Sequence, residues 1–136
     1  MYENQLRTTN ELKEKVNSLY NYLRIEEKEI KFSNLEETSH KPDFWDNQAE
    51  AQRILKEMSE LKWWIDIYKE LHKKIDDVIG LIELANMEGD ETLENEIENE
   101  ISVIQQKIED IEFKNMLSDE NDRCNCILTI HAGAGG

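Results

Sequence analysis

Turn-forming residues are scarce in this chain: its 136 residues include one proline and five glycines, and three of those glycines fall in the last four positions. An all-β domain of this length needs a turn signal roughly every ten residues, so the scarcity excludes a sandwich or barrel and suits long helices. Basic residues are also few, 16 Lys+Arg against 31 Asp+Glu, leaving a formal charge of -15. Phosphate-backbone binding by counterion release needs clustered Lys and Arg. A surface this acidic repels phosphates and anionic headgroups alike, which excludes a generic nucleic-acid binder or membrane-surface binder and makes a protein the expected partner. No run of about eighteen apolar residues is present, so no membrane-spanning helix is expected. The start, Met1-Tyr2-Glu3-Asn4-Gln5, lacks the basic and apolar regions of a signal peptide, and the expectation is a soluble, cytoplasmic chain. The two cysteines, Cys124 and Cys126, lie one residue apart. A bridge between them would be badly strained and two thiols cannot close a zinc site, so they read as reduced bystanders.

The charge is unevenly distributed. From Glu83 to Asp122 there are fourteen acids against Lys107 and Lys114, so this stretch carries -12 of the -15. The remainder is nearly neutral, and the two regions must present different faces to solvent. In the first segment, roughly Asn4 to Glu37, Leu12, Val16, Leu19 and Leu23 recur at helical spacing, with Ile30 seven residues on, and this predicts one helix stripe. Thr38-Ser39-His40-Lys41-Pro42 ends it, because proline cannot continue a helix and biases the preceding residue toward extended backbone. Phe44-Trp45 then reads as an apolar plug over a helix end. Asp46 or Asn47 suits the cap of the next helix, and with Asn47 as cap Glu50 takes the third position of a capping box.

The second helical segment, to about Glu88, is the best patterned. Leu61, Trp64, Tyr68, Leu71, Ile75, Val78, Ile82 and Ala85 alternate spacings of three and four, a heptad seam that Ile54 and Met58 extend backward. About forty helical residues make a rod on the order of 60 Å, too long to stand without helices beside it. Around its middle, Trp63, Trp64, Ile65, Ile67 and Tyr68 cover most of the circumference, so two flanking helices are expected there. Trp63 itself reads as core, because Ile67 lies one turn away on the same side; on an uncovered face it would be an aromatic of the kind enriched at interaction hot spots. Gly89 suits the left-handed position after a helix end, and Asp90 the cap of a returning helix with an acidic first turn. Leu93, Ile97, Ile101, Ile104, Ile108 and Ile111 form that helix's stripe, despite their β-branched side chains, because the period is near 3.6. Beyond Met116-Leu117 the polar run Ser118-Asp119-Glu120-Asn121-Asp122 precedes Cys124-Asn125-Cys126-Ile127-Leu128-Thr129-Ile130-His131, which has the composition of a strand. A lone strand leading into Ala132-Gly133-Ala134-Gly135-Gly136 looks like the opening of a further domain.

Few residue constellations point to chemistry. The terminal glycines could let backbone N–H groups approach an anion, but neither a helix nor a Gly-Lys-Ser/Thr follows, and a strand-to-loop turn is the better reading. His40, His72 and His131 fall on a loop, a helix and a strand without metal-ligand spacing, and His72 beside the seam reads as structural. No nucleophile elbow, cofactor motif or calcium loop is present, and the carboxylates read as a solvated face. No cofactor, metal or catalytic residue is therefore expected.

A family resemblance does emerge. Lys41-Pro42-Asp43-Phe44-Trp45-Asp46-Asn47-Gln48-Ala49-Glu50-Ala51-Gln52 resembles the inter-helix signature of the bacterial peptide chain release factor 2 family. Leu81-Ile82-Glu83-Leu84-Ala85 before the acidic glycine turn resembles that family's helical hairpin. Glu112-Phe113-Lys114-Asn115-Met116-Leu117-Ser118-Asp119-Glu120-Asn121-Asp122, running into Ile127-Leu128-Thr129-Ile130-His131-Ala132-Gly133-Ala134-Gly135-Gly136, resembles the passage from the family's helical first domain into its second. The likeness spans almost the whole chain and is weakest before Lys41; the related release factor 1 family lacks the Pro-Asp-Phe-Trp signature. The resemblance implies a factor acting at UGA and UAA stop codons, in which a Gly-Gly-Gln loop promotes peptidyl-tRNA hydrolysis. Neither that loop nor the family's codon-reading Ser-Pro-Phe tripeptide occurs in these 136 residues.

The combined expectation is an all-α, elongated helical bundle or hairpin arm of three to four antiparallel helices over residues 1–120. One orphan β-strand and glycine turn would come after it over 121–136, the start of an incomplete second domain. The arm is expected to be a monomer without enzymatic activity. By resemblance, its partners are the ribosome, through large-subunit stalk-base proteins, and the release-factor-recycling GTPase; nucleic-acid binding by the acidic domain alone and membrane contact are not expected. Trp63, Glu94 and Glu98 are the candidate partner contacts. The competing reading is a free-standing acidic coiled-coil adaptor that oligomerises through the Ile54-to-Ala85 seam.

Overall fold

The computed structural model describes residues 2–135, with side chains described through Ser118. The described residues form four α-helices, α1 (Glu3–Tyr22), α2 (Ile25–Ser39), α3 (Gln48–Glu88) and α4 (Glu94–Gly135), with a 3-10 turn at Phe44–Asp46 between α2 and α3. The long rod is α3, on the order of 60 Å at 1.5 Å per residue. Because α3 is too long to bury its seam against itself, the other helices lie along it in succession. α1 runs antiparallel to its second half, as the Lys13–Asp76 ion pair (3.0 Å) and the Tyr20–Tyr68 ring contact (5.6 Å) show. α2 continues in the same direction over its first half, where Lys31 pairs with Glu57 and Leu35 packs near Ile54. α4 folds back along α3 and lies parallel to α1, with Gln5 donating to Glu98 at 3.3 Å and Lys15 meeting Glu112 at 3.5 Å.

The main core is the meeting of three stripes. Leu12, Val16, Leu19 and Leu23 from the N-terminal segment, Leu71, Ile75, Val78, Ile82 and Ala85 from α3, and Ile97, Ile101, Ile104, Ile108 and Ile111 from α4 are all buried in one cluster. Full burial of each Leu, Ile or Val contributes about 1.5–3 kcal/mol, so this seam dominates the stability of the arm. A smaller cluster of Phe44, Ala51 and Ile54, flanked by Leu35 and Met58, closes the other end of α3. Phe44 alone is the plug there, while Trp45 stands 60% exposed with its ring edge-on to Phe44.

The N-terminal segment is not one helix. Arg24 adopts left-handed backbone (φ 54°), separating α1 from α2. The cause lies in Leu23 and Ile25, which are both fully buried. In a continuous helix residues two apart are turned by about 200° and cannot face one seam. The turn at Arg24 puts both in the core, and that burial offsets the roughly 1–2 kcal/mol cost of a left-handed L-residue. The same turn shifts the helical phase of the residues after it, so Ile30, expected in the stripe, is 57% exposed.

The helix ends obey the expected chemistry with two differences. Asn47 caps α3, accepting the Glu50 backbone N–H at 3.1 Å. The Glu50 carboxylate does not complete a capping box, because it accepts from the Arg53 guanidinium one turn on (Nε, 3.0 Å). Asp90 does not cap α4, which begins at Glu94; its side chain instead accepts the Thr92 N–H at 2.8 Å in a turn ahead of the helix. The expected strand at Cys124–His131 is not found, since α4 runs as helix through this stretch. A strand leaves its N–H and C=O groups to be paired by a neighbour, and no other strand exists among the described residues; a helix pairs them internally. The environment of Cys124, Cys126 and His131 lies outside the described side chains.

Gly89 ends α3 with φ 66°, its N–H reaching Asn86 O (3.3 Å) while Asp90 N–H reaches Ala85 O (2.9 Å), a Schellman closure. Nothing lies within 4 Å of where a Cβ would stand, so the requirement for glycine is purely a matter of backbone. Gly89→Ala is expected to cost about 1 kcal/mol in a denaturant titration without changing the fold; an unchanged midpoint would show that the closure does not need the left-handed residue.

Candidate interaction surface

Two surfaces stand out on the arm, one at the turn of the α3–α4 hairpin and one partway along it. At the turn, Glu83, Glu88, Glu91, Glu94, Glu96, Glu98 and Glu100 are all exposed, and the sequence from 83 to 100 contains no Lys or Arg. The first turn of α4 carries Glu94 and Glu96, where the helix dipole favours carboxylates. Tyr2 pins the N-terminus to this tip, donating its hydroxyl to Asp90 O at 2.7 Å. Burial, with Asp90 and Glu94 nearby, raises the Tyr2 hydroxyl above the ordinary tyrosine range and keeps it a donor. The hydrogen bonds from Thr92 hold the Asp90 carboxyl below the usual carboxylate range.

Toward the other end, Trp63 is 42% exposed rather than core, because α1 and α4 cover the Tyr68 side of the rod but leave this side open. Its ring is covered instead by a charge: Lys114 Nζ of α4 lies 3.7 Å from the ring centroid. Trp64, half-buried, stands edge-on to Trp63 at 5.0 Å. The three candidate residues are therefore not one site. Glu94 and Glu98 belong to the acidic tip, Gln5 engaging Glu98, whereas Trp63 lies beside Lys114, roughly 25 Å further along α4 at 1.5 Å per residue. Lys114 is the residue that sequence reasoning missed. The hairpin register would have found it: Trp63 opposes Lys114 as Glu70 opposes Lys107, two helical turns closer to the turn on both helices.

Glu70 sits between two cations, Lys107 Nζ at 3.2 Å from α4 and Lys74 Nζ at 3.4 Å from its own helix. The Lys107 hydrogen bond, with its charge and then Lys74, lowers the Glu70 carboxyl from its ordinary value. His72 and Lys13 share Asp76, which ties α1 to α3 at mid-length. Among the described residues no group of His, Cys, Asp or Glu is placed to hold a metal, and no helix is long and apolar enough to cross a membrane.

Fold and surface thus define an all-helical arm with one acidic tip. Residues 27–136 match the family model of the PCRF domain, and the chain belongs to that family. Among curated proteins it is similar to peptide chain release factor 2 of Nautilia profundicola (36% identical over 126 residues), of Clostridium perfringens (37% over 134) and of Staphylococcus aureus (35% over 114). These alignments cover 93%, 98% and 84% of this chain but 34%, 36% and 31% of those proteins, so the chain spans about a third of its relatives, their N-terminal part.

The Glu70 environment gives a pH test. A carboxylate whose pKa is depressed by folding adds stability above its unfolded pKa and loses it as pH falls through the folded value. Glu70→Gln is therefore expected to lower the melting temperature slightly at pH 7, and the gap to the parent chain should close as pH drops below the ordinary glutamate range. A gap that stays constant into acid would show that the two lysines do not stabilise the folded carboxylate.

Proposed function

We propose that this chain is the helical first domain of a translation-termination factor of the release factor 2 type, contacting the ribosome and its proteins rather than performing hydrolysis. The observation that carries the reading is the PCRF match over residues 27–136 together with relatives whose N-terminal third alone is covered. In this reading residues 1–120 are the arm, and 121–135, which continue α4 as helix, lead from it toward the rest of the factor. Acting in such a factor, the arm serves termination at UGA and UAA in the cytoplasm, its partners the large-subunit stalk-base proteins and the release-factor-recycling GTPase. The acidic tip suits such protein partners, since a surface bare of cations avoids RNA phosphates and attracts basic protein faces. Trp63, Glu94 and Glu98 are the proposed contacts, Trp63 as an exposed aromatic anchor and the two glutamates as steering charges.

Added to stalled termination complexes, these 136 residues should release no peptide above background, since neither Ser-Pro-Phe nor Gly-Gly-Gln occurs in them; release above background would overturn the non-enzymatic part of the reading. The adaptor alternative predicts a stable oligomer joined through the α3 seam. That seam is already filled by α1, α2 and α4, which supports a monomer of 16.1 kDa in sedimentation experiments. A concentration-independent dimer would favour the adaptor.

A further inference from the structure

The last turns of α3 before Gly89 carry apolar side chains on the side away from the core. Leu84 is 50% exposed and Met87 85%, across the helix from the buried Val78, Ile82 and Ala85. Gly80, also exposed, precedes Leu84 by four residues, and Met87 follows Leu84 by three. That spacing sets Gly80, Leu84 and Met87 in one row on the outer face of the helix.

Gly80 is an independent sign. Glycine inside a helix is less favourable than alanine, and nothing within this chain requires it here. α3 runs unbroken through the position, Gly80 is not among the residues of positive φ, and nothing lies within 4 Å of where a Cβ would stand. What the missing side chain supplies is a notch where a second backbone can approach closely. Leu84 and Met87 continue the notch as an apolar row, and the flexible thioether of a methionine adapts to varied partners.

The rim of the row fixes the charge of its occupant. Asp77, Glu83 and Glu88 are exposed around it and make no ion pair to a described residue. Lys73, two turns before Gly80, sets the far limit of the acidic rim. A second copy of this chain would bring a further -15, and anionic headgroups are repelled in the same way.

We propose that the Gly80–Leu84–Met87 face docks a basic amphipathic helix of a partner protein. A small residue of that helix enters at Gly80, its apolar stripe covers Leu84 and Met87, and its lysines or arginines reach Asp77, Glu83 and Glu88. The proposal rests on the reading of the acidic tip as a protein contact and places the apolar anchor of that contact on α3.

The test is an NMR titration of the isotope-labelled full chain at physiological ionic strength. The probe is a synthetic leucine-, alanine- and lysine-containing peptide patterned as an amphipathic helix of about five turns, with a scrambled peptide of the same composition as reference. Saturable shifts are expected at the backbone amides of residues 77–88, with the scrambled peptide binding at least tenfold more weakly. Gly80→Leu fills the notch while favouring the helix, so it should leave the melting temperature undiminished yet weaken binding roughly tenfold. Met87→Gln should weaken it by a similar factor through loss of one apolar anchor. Equal binding of the scrambled peptide, or binding unaltered in both variants, would overturn the docking face. The double variant Glu94→Gln/Glu98→Gln separates this proposal from the contacts assigned to the tip. Loss of binding there with Gly80→Leu unaffected would overturn the α3 face and leave the glutamate contacts standing; loss in Gly80→Leu with the double variant unaffected would uphold the face without them.

Discussion

The arm depends on one constraint, the length of α3. A helix of 41 residues presents a seam no single short partner can cover, and every other feature of the fold is a means of covering it. The second half is closed by α1 and α4, which bring the Leu12-to-Leu23 and Ile97-to-Ile111 stripes to Leu71, Ile75, Val78, Ile82 and Ala85. The first half is closed by α2 and by Phe44 on the 3-10 turn. Gly89 sets the register of the return, and that register produces the pairs Glu70–Lys107 and Trp63–Lys114 far from the turn. Surface ion pairs of this kind contribute little individually, so they tune the hairpin whereas the isoleucine seam holds it.

Much of this was legible because the stripes keep one period over many turns. All of Ile97, Ile101, Ile104, Ile108 and Ile111 are buried as their spacing predicts, and Pro42, Asn47 and Gly89 punctuate the chain by mechanisms that act locally. The break at Arg24 was not legible. Leu23-Arg24-Ile25 contains no glycine, proline or asparagine, and the turn exists only because tertiary burial rewards facing both Leu23 and Ile25 inward. Ile30 was misplaced for the same reason. The segment Cys124–His131 failed differently: a short apolar, β-branched run reads as strand or buried helix equally well, and with no strand among the described residues to pair it the helical choice satisfies its backbone. Trp63 shows a third limit, since Ile67 one turn away is half-buried while Trp63 is open. Neighbours on one helix face share an environment only where the covering helix extends past both.

The distribution of charge separates the two ends of the arm more sharply than its apolar pattern does. The charged groups of the tip between 83 and 100 are all carboxylates, and among the described residues its long-range side-chain ties are the Tyr2 hydroxyl and the Gln5 amide, neither of which neutralises charge. Among the described residues these exposed carboxylates make no salt bridge and lie outside the core, which leaves them facing solvent. Where the charges are mixed, along Lys13–Asp76, Lys15–Glu112 and Glu70–Lys107, they tie helix to helix instead.

Net charge and local charge also have different reach. A field from -15 summed over the arm is screened within about 8–10 Å at physiological salt, so it governs approach and non-specific contact but not the chemistry inside a cleft. At the α1–α2 turn the backbone geometry that buries Leu23 and Ile25 also throws Arg24 outward and leaves the first N–H groups of α2 without a side-chain cap. The exposure of Arg24 is thus a consequence of packing. An acidic exterior around it discourages diffuse attachment to polyanions.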